Sequence, residues 1–474
     1  MLFNSLKFLI FFPAVVLLYF VLPKRVRNLW LLVASYVFYM GWNAKYVVLL
    51  FTSTLITYLS GLLLERVKDS DRPETKKTAL KKWVVAVSFL LNLGILFYFK
   101  YVNFFLDTLG AAASLVGLTL NVPKFDILLP VGISFFTFQA LSYTVDVYRG
   151  EIGAEKNFLR YALFVSFFPQ LVAGPIERSK NLLQQLDTPK SFDFDRAREG
   201  FVLMLWGYFL KIVLADRIAI FVDTVYGDIA AFPGWYLIAA TVLFAVQIYC
   251  DFGGYSTIAM GAAKILGIEL MENFDAPYLS TSVSQFWRRW HISLTTWFRE
   301  YLYIPLGGSR KGTWRTVRNI FLVWFCTGFW HGASWNFILW GLHFFGWLML
   351  EKYLLRDFLQ KLPSWLRHFY TLVVVFVGWG VFAMEDLAGC AGYFKTCFGS
   401  GTLWSAADGY YLTAYGLTLL LLTVGSTRLP RKVWNRLPER ARDLLGPLLM
   451  AAGLVICTAY LVDGSYNPFL YFRF

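Results

Sequence analysis

The chain has 474 residues, of which 58% are hydrophobic, 19% aromatic and 16% charged, and its formal net charge is +14. Soluble chains carry about 25% charged residues, and no polar stretch here is long enough to bury a core of its own, which excludes a soluble domain. The basic residues occupy short loops between apolar runs, as in the cytoplasmic loops of membrane proteins, so the positive charge does not indicate nucleic-acid binding.

Taken along the chain, the predicted elements are membrane helices. Runs of apolar residues near the roughly 20 needed to cross a bilayer occupy positions 6–21, 46–64, 83–99, 201–222, 235–250, 369–384, 410–424 and 445–461. The runs are continuous rather than alternating, which indicates helices and not strands. The first run has no cleavage site after it and is interpreted as a membrane helix rather than a signal peptide. We therefore predict an all-α polytopic integral membrane protein with about 11–14 membrane helices.

The distribution of lysine and arginine predicts the orientation of these helices. Basic residues cluster at 24–27, 66–82, 310–318 and 428–442, whereas the loops around 223–234 and 385–408 contain few. The positive-inside rule then predicts that both termini lie outside the cytoplasm. The hydrophilic segments 65–82 and 177–200 show no catalytic constellation and are interpreted as solvated cytoplasmic loops.

No repeat or low-complexity linker divides the chain, so we predict one domain, with N-terminal helices at 1–124, a core at 125–350 and C-terminal helices at 351–474. In the core, glycine, proline and polar residues interrupt the apolar stretches 128–143, 167–179 and 247–261. Broken helices at membrane depth occur only where the backbone is buried in protein or lines a wet cavity. The three interruptions therefore predict a central cavity or tunnel.

The segment SVSQFWRRWHISLTTWFREYLY (282–303) has the periodicity of an amphipathic helix at the cytoplasmic boundary. On such a helix Arg288 and Arg289 face water, whereas His291 falls within the apolar stripe that contains Trp287. The sequence therefore predicts an inward-pointing histidine.

A second histidine, His331, lies in the apolar stretch TGFWHGASW (327–335). The basic cluster that ends at Arg318 is followed by 12 residues, about 18 Å of helix, which places His331 near the middle of the membrane. We predict a helical hairpin, or two half-helices, with Gly328 and Gly332 at its deepest point. An ionisable group at that depth is a functional hypothesis, although a hydrogen-bonded packing role is the alternative.

Two inward histidines favour proton chemistry. Burial favours the neutral imidazole, which can act as a general base on a hydroxyl that attacks a thioester carbonyl. The basic residues Arg288, Arg289, Arg310 and Lys311 suit a phosphate-bearing donor such as a coenzyme A thioester, but topology alone explains them equally. No Cys, His, Asp and Glu cluster has metal-ligand spacing, so no metal is expected.

Five segments in fixed order resemble the membrane-bound O-acyltransferase (MBOAT) superfamily, and within it the bacterial branch typified by the alginate O-acetyltransferase membrane subunit. They are MLFNS at the start, FFPQLVAGPIER (167–178), QIYCDFGGYSTIAMG (247–261), ENFDAPYLSTSVSQFWRRWHISLTTWFREYLYIPLGGSR (272–310) and FWHGASWNFILWG (329–341). The resemblance covers nearly the whole chain. It implies the MBOAT fold, with broken or re-entrant helices around a central tunnel, in the bacterial plasma membrane.

The resemblance also implies roles for particular residues. His331 corresponds to the presumed catalytic histidine and is expected to be the general base, with His291 supporting it. Contacts with substrate are expected from Tyr249, Asp251, Arg288, Arg289, Trp330, Ser334 and Asn336, and contacts with the donor from Arg310 and Lys311. Asp251 could instead cap a broken helix, and Ser334 or Cys326 could be acyl-accepting nucleophiles or pack helices.

The predicted function is transfer of an acyl group, expected to be acetyl, from a cytoplasmic thioester such as acetyl-CoA to an extracytoplasmic polysaccharide such as alginate. The resemblance implies a partner related to SGNH hydrolases, for which the C-terminal PFLYFRF (468–474) is a candidate contact, with membrane anchoring as the alternative. Membrane lipid surrounds the protein, and no nucleic acid is involved. A D-alanyl transferase for teichoic acid that uses a carrier-protein thioester, a lipid-linked saccharide transporter and an export scaffold remain alternatives. Transport would need no histidine base.

Overall fold

A computed structural model describes residues 1–188, 190–399, 416–417, 420–421, 424–425, 427–462 and 469–470. Over these residues the chain is helical, and its β pairing is a single isolated bridge between Phe274 and Trp290. The predicted all-α fold class is confirmed.

Within the described residues, five helical segments are long and apolar enough to cross a membrane. They are Ala44–Lys68, Glu74–Leu115, Gly234–Ile265, Ser364–Ala383 and Glu439–Val462, and the shorter apolar helix Leu6–Val21 precedes them. The polytopic prediction is therefore confirmed, whereas the total of 11–14 crossings stays a prediction. The predicted run 410–424 lies largely outside the described residues.

The prediction that the run 201–222 is continuously apolar is wrong. The run contains Lys211, Asp216 and Arg217, and the structure divides it into a helix that ends at Tyr208, the π-helical segment Phe209–Ala215 and a further helix. Lys211 and Asp216 are buried and form an ion pair at 2.7 Å. Charged groups inside an apolar run and π turns are both features that concentrate at functional sites.

The chain forms two compact units, Met1–Phe201 with Ala259–Met271 and Val202–Ile258 with Glu272–Phe474. The single domain and its three sections stay predictions. The first unit contains α1 (Leu6–Val21), α2 (Lys24–Met40), α3 (Val47–Lys68), α4 (Glu74–Leu96), α5 (Val102–Leu115), α6 (Ile133–Arg149), α7 (Phe158–Ser166), α8 (Phe168–Leu171) and α9 (Ser179–Asp187). Residues of α10 (Phe194–Tyr208) and α12 (Gly234–Ile265) belong to both units.

The second unit contains the helices that position the candidate site. They are α11 (Asp216–Gly227), α13 (Val283–Arg289), α14 (Ile292–Phe298), α15 (Thr313–His331), α16 (Trp335–Tyr353), α17 (Arg356–Lys361), α18 (Ser364–Ala383), α19 (Leu387–Cys397), α20 (Leu429–Arg436) and α21 (Glu439–Val462).

Neither hydrophilic segment is a simple solvated loop. In the segment 65–82, α3 continues to Lys68 and α4 begins at Glu74, so most of its charged residues extend two helices. At the start of the segment 177–200, Glu177 and Ser179 are buried. The Glu177 carboxylate accepts the N–H of Met271 at 2.6 Å, and the Ser179 hydroxyl donates to Asp146 at 2.6 Å. These partners stabilise polar groups that the sequence alone suggested were in water.

Two of the three predicted interruptions are present. Helix α6 begins only at Ile133, after Gly132 with φ +77°, and the residues between α8 and α9 are buried without being helical. The predicted break at 247–261 is wrong, because α12 runs through it without interruption. Its glycines serve close packing instead: a Cβ on Gly207 of α10 would lie 2.6 Å from the carbonyl oxygen of Gly254.

Candidate active site

His291 lies in a break between two helices and not on one continuous helix. The predicted single helix over 282–303 is wrong, because α13 ends at Arg289 and α14 begins at Ile292. His291 itself adopts a left-handed conformation with φ +44°. The main chain on either side of His291 is hydrogen-bonded to residues 273–275. The Asp275 N–H donates to the Arg289 carbonyl at 3.0 Å, and the Ile292 N–H donates to the Asn273 carbonyl at 3.0 Å. His291 is nevertheless buried, with 1% of its surface exposed.

Side chains from distant segments hold both ends of α13. At its beginning, the Glu351 carboxylate accepts the main-chain N–H groups of Val283 at 2.7 Å and Ser284 at 3.1 Å. An anion there satisfies donors that the helix leaves unpaired and complements the helix dipole. Beyond its end, the Asn273 side-chain oxygen accepts both the N–H of Ser293, at 3.2 Å, and its hydroxyl, at 2.6 Å. The position of His291 is therefore fixed from both directions.

His331 is the last residue of α15, at the turn of a hairpin formed with α16. The predicted hairpin is confirmed, whereas the depth of His331 in the membrane stays a prediction. The two helices approach closely because Gly328 faces the Phe337 carbonyl and Gly341 faces the Trp324 carbonyl, where a Cβ would collide. Small residues at such contacts are typical of membrane helix pairs.

The predicted residues Ser334 and Asn336 tie this hairpin to the end of α18. The Ser334 hydroxyl donates to the Glu385 carbonyl at 3.0 Å, and the Asn336 amide donates to the Met384 carbonyl. Both contacts are with main chain, and neither side chain lines the cavity described below. Their geometry therefore supports the turn that carries His331, and a contact with substrate stays a prediction.

Aromatic rings surround both imidazoles. The His331 ring lies edge-to-face against Trp330, Trp340 and Phe382, with centroids 5.0, 4.8 and 5.4 Å away. The His291 ring is 4.7 Å from Phe252 and 5.9 Å from Trp330. The predicted residue Trp330 thus contacts both histidines, and its large rigid ring restricts the orientations that either can adopt.

One cavity in the second unit, of about 680 Å³, is lined by both His291 and His331. A volume of this size is within the range of small-molecule sites. The walls near the histidines are apolar and aromatic, and basic side chains also line the cavity. These are Arg288, Arg299, Lys352 and Arg356.

The basic side chains agree only in part with the sequence prediction. Arg288 lines the cavity as expected, but Arg289, Arg310 and Lys311 do not. Arg299, Lys352 and Arg356 were missed. Lys352 and Arg356 are four residues apart, where a long apolar helix gives way to a short polar one, and this spacing is a signal that could have revealed them.

Tyr249 and Asp251 do not line the cavity either. The Tyr249 ring lies 5.8 Å from Phe274 and 6.3 Å from Trp290, beside the main chain that leads into His291. Asp251 lies within α12, so the alternative that it caps a broken helix is wrong. Its carboxylate is 2.7 Å from the Lys211 ammonium. Lys211 was also missed, although a charge inside an apolar run is itself a signal of function.

Comparison of the sequence with known proteins identifies the family to which the chain belongs. The sequence model of the MBOAT, membrane-bound O-acyltransferase, family matches residues 32–391, which include both histidines. The chain is 36% identical over 503 residues to the probable alginate O-acetylase AlgI of Pseudomonas putida, covering 100% of both chains. It is 33% identical over 422 residues to the peptidoglycan O-acetyltransferase of Helicobacter pylori, covering 82% of this chain and 78% of the relative.

A more distant similarity is to the teichoic acid D-alanyltransferase of Bacillus subtilis. It has 28% identity over 239 residues and covers 47% of this chain and 58% of the relative. With a family match across most of its length and apolar helices able to span a bilayer, the chain belongs to the membrane-bound O-acyltransferase family and is a multi-pass membrane acyltransferase.

Proposed function

We propose that the chain takes an acetyl group from acetyl-CoA on the cytoplasmic side of the bacterial plasma membrane and delivers it outward for O-acetylation of a polysaccharide. The observation that carries this proposal is the single cavity that joins two buried histidines to four basic side chains. The names of the alginate and peptidoglycan relatives support a polysaccharide as the final acceptor. Alginate itself and an SGNH-hydrolase-like partner outside the membrane belong to the same proposal.

His331 would act as the general base. Its neutral imidazole accepts the proton of an acceptor hydroxyl while the hydroxyl oxygen attacks the thioester carbonyl. The carbon–sulfur bond then breaks, the acetyl group remains on the acceptor oxygen, and the coenzyme A thiolate takes the proton back from the imidazolium. His291, which shares the cavity and the Trp330 ring, would orient the substrate or the base.

The basic side chains of the cavity would bind the donor. Arginine and lysine form charge-assisted hydrogen bonds with phosphate oxygens, and coenzyme A carries several phosphate groups, whereas its acetyl end is small and apolar. The cavity offers a complementary surface to each part of this donor: basic side chains for the phosphates, and an aromatic region around the histidines for the acetyl end.

The test uses purified protein in proteoliposomes with labelled acetyl-CoA, and follows release of coenzyme A and the fate of the label with and without a candidate acceptor partner. We expect His331→Ala to lower turnover by about 10²–10⁴-fold, the usual contribution of a general base. The matched control is His343→Gln, since His343 contacts the Val374 carbonyl and does not line this cavity. In the same assay, Arg356→Glu should raise KM for acetyl-CoA, whereas Arg310→Glu, outside the cavity, should not.

Other outcomes would identify a different function. Wild-type turnover by a folded His331→Ala variant would refute the general base. Turnover with a loaded carrier protein but not with acetyl-CoA would favour the D-alanyl type of transfer. Failure with both donors, together with saccharide transport that survives His331→Ala, would favour a transporter.

A further inference from the structure

A buried ion cluster joins the π-helical segment Phe209–Ala215, α11 and α12, and its α12 member, Asp251, precedes Phe252, whose ring contacts His291. The Lys211 ammonium is 2.7 Å from a carboxylate oxygen of Asp216 and 2.7 Å from one of Asp251. All three side chains are almost wholly buried. Buried charges are stable only when each is paired and its remaining hydrogen-bonding capacity is used. One ammonium between two carboxylates leaves oxygen atoms that need further donors.

The chain's own C-terminal segment supplies such a donor. The second carboxylate oxygen of Asp251 accepts the main-chain N–H of Leu470 at 2.7 Å. Leu470 and its neighbour Phe469 are buried, with 4% and 1% of their surfaces exposed. Of the predicted partner-contact segment 468–474, these two residues are the ones that the structure describes. Here they contact the protein itself.

Ring contacts connect this segment to the site. The Phe469 ring stacks on Tyr255 with centroids 4.8 Å apart and lies 5.7 Å from Phe252. The Phe252 ring stands edge-to-face against His291 at 4.7 Å. Phe252 therefore lies between the C-terminal segment and the imidazole. Because protein interiors are close-packed, a change in packing on one side of Phe252 displaces side chains on the other.

We propose that the Lys211–Asp251 ion pair is a docking site for residues 469–470, and that this docking positions His291 for acyl transfer. The inference rests on the proposed function. Asp251, Phe469 and Leu470 are positioning residues that act through Phe252. Loss of the Phe469 ring leaves a void beside Phe252, into which side chains relax. Loss of the Leu470 N–H leaves a buried carboxylate without a donor.

The sharpest test is a matched pair of substitutions in the full chain, Leu470→Pro and Leu470→Ala. Proline removes the N–H that Asp251 accepts, and alanine keeps it. We expect Leu470→Pro to lower kcat by about 10- to 100-fold, as small misplacements at a reacting site do, with KM for acetyl-CoA unchanged. Leu470→Ala, which keeps the N–H, should lower kcat far less than Leu470→Pro does.

A second pair tests the ring. Phe469→Ala should lower kcat in the same way, and Phe469→Leu should restore most of it. Phe221→Ala, which removes a buried ring that stacks on Tyr236 in the same unit, is the control and should not change kcat. Equal kcat values for the proline and alanine variants at 470, or a Phe469→Ala variant with wild-type kcat, would overturn the positioning role.

Docking has a readout besides activity. In a background without the five native cysteines, a Leu470→Cys thiol should react slowly with a maleimide, and Asp251→Ala should make it react quickly. Fast reaction in both would overturn the docking site. If the wild type shows no acetyl transfer, the proposed function and the positioning role fail together, whereas the labelling still decides whether the segment docks.

Discussion

At the scale of single residues, His291 combines a position in the candidate site with an unfavourable backbone. Its φ of +44° is in the left-handed region, which costs an L-residue about 1–2 kcal/mol. The Asn273 side chain, bonded to the N–H and hydroxyl of Ser293, and the pairing of Phe274 with Trp290 hold the chain in this shape. Strain of this kind persists only where the surroundings impose it, and it concentrates at functional sites.

The contribution of the His291 backbone to stability can therefore be measured separately from the contribution of its imidazole to acyl transfer. Glycine adopts positive φ without strain, so we expect His291→Gly to be more stable than His291→Ala by roughly 1 kcal/mol. Both variants lack the imidazole and should lose acyl transfer to the same extent. Thermal unfolding of the detergent-purified variants, beside their turnover, measures the two effects. If the alanine variant were as stable as the glycine variant, the surrounding residues would not be forcing position 291 into the left-handed conformation.

The environment of a single residue could be predicted from the sequence where that environment depends on the local composition. His331 lies in an apolar stretch with nearby glycines, separated by 12 residues from the basic cluster that ends at Arg318, and these local features together indicated a buried hairpin turn. His291 is also buried, but the prediction assumed a continuous helix that does not exist. The position of His291 depends on Asn273 and Phe274, which pair with the residues on either side of it. A periodicity computed along one helix contains no information about such partners.

At the scale of elements, the hairpin of α15 and α16 determines where His331 lies. Gly341 on α16 faces the Trp324 carbonyl of α15 so closely that an added Cβ would collide with it. We expect Gly341→Ala to separate the two helices, lower stability by about 1–3 kcal/mol as overpacking does, and lower turnover because His331 moves. Thermal unfolding and initial rates measure both effects.

The same helix supplies the control. A Cβ on Gly346 would meet nothing within 4 Å, and alanine favours the helix over glycine by about 1 kcal/mol. Gly346→Ala should therefore be neutral or slightly stabilising, with unchanged turnover. If Gly341→Ala behaved in the same way, close helix contact would not be what positions His331.

The glycines of α12 show why elements were only partly predictable. Gly253 and Gly254 suggested a broken helix, yet the helix continues and Gly254 lies against Gly207. A glycine that interrupts a helix and a glycine that admits a neighbouring helix look the same in one sequence. Only the partner helix distinguishes them, and that partner is 47 residues away along the chain.

At the scale of the whole molecule, the distribution of basic residues predicts an orientation in the membrane, and the proposed direction of transfer follows from that orientation. The cavity is lined by Arg288, Arg299, Lys352 and Arg356. The positive-inside rule predicts that such clusters face the cytoplasm, the side from which the proposed donor, acetyl-CoA, would enter. Helix α21 has basic residues before and near its beginning, and it is apolar and long enough to cross the membrane. The same rule then predicts that the chain beyond Val462 emerges on the outer side.

This orientation would bring the donor and the C-terminal segment to His291 from opposite sides of the membrane. It is tested in the cysteine-free background with Arg440→Cys, at the basic beginning of α21, and Ser465→Cys, beyond its end. In intact spheroplasts, a membrane-impermeant maleimide should label the thiol at 465 and reach the thiol at 440 only after permeabilisation. The reverse pattern would place the C-terminal segment in the cytoplasm. Docking at Asp251 would then begin on the donor side, and the acyl group would need another route to an external acceptor.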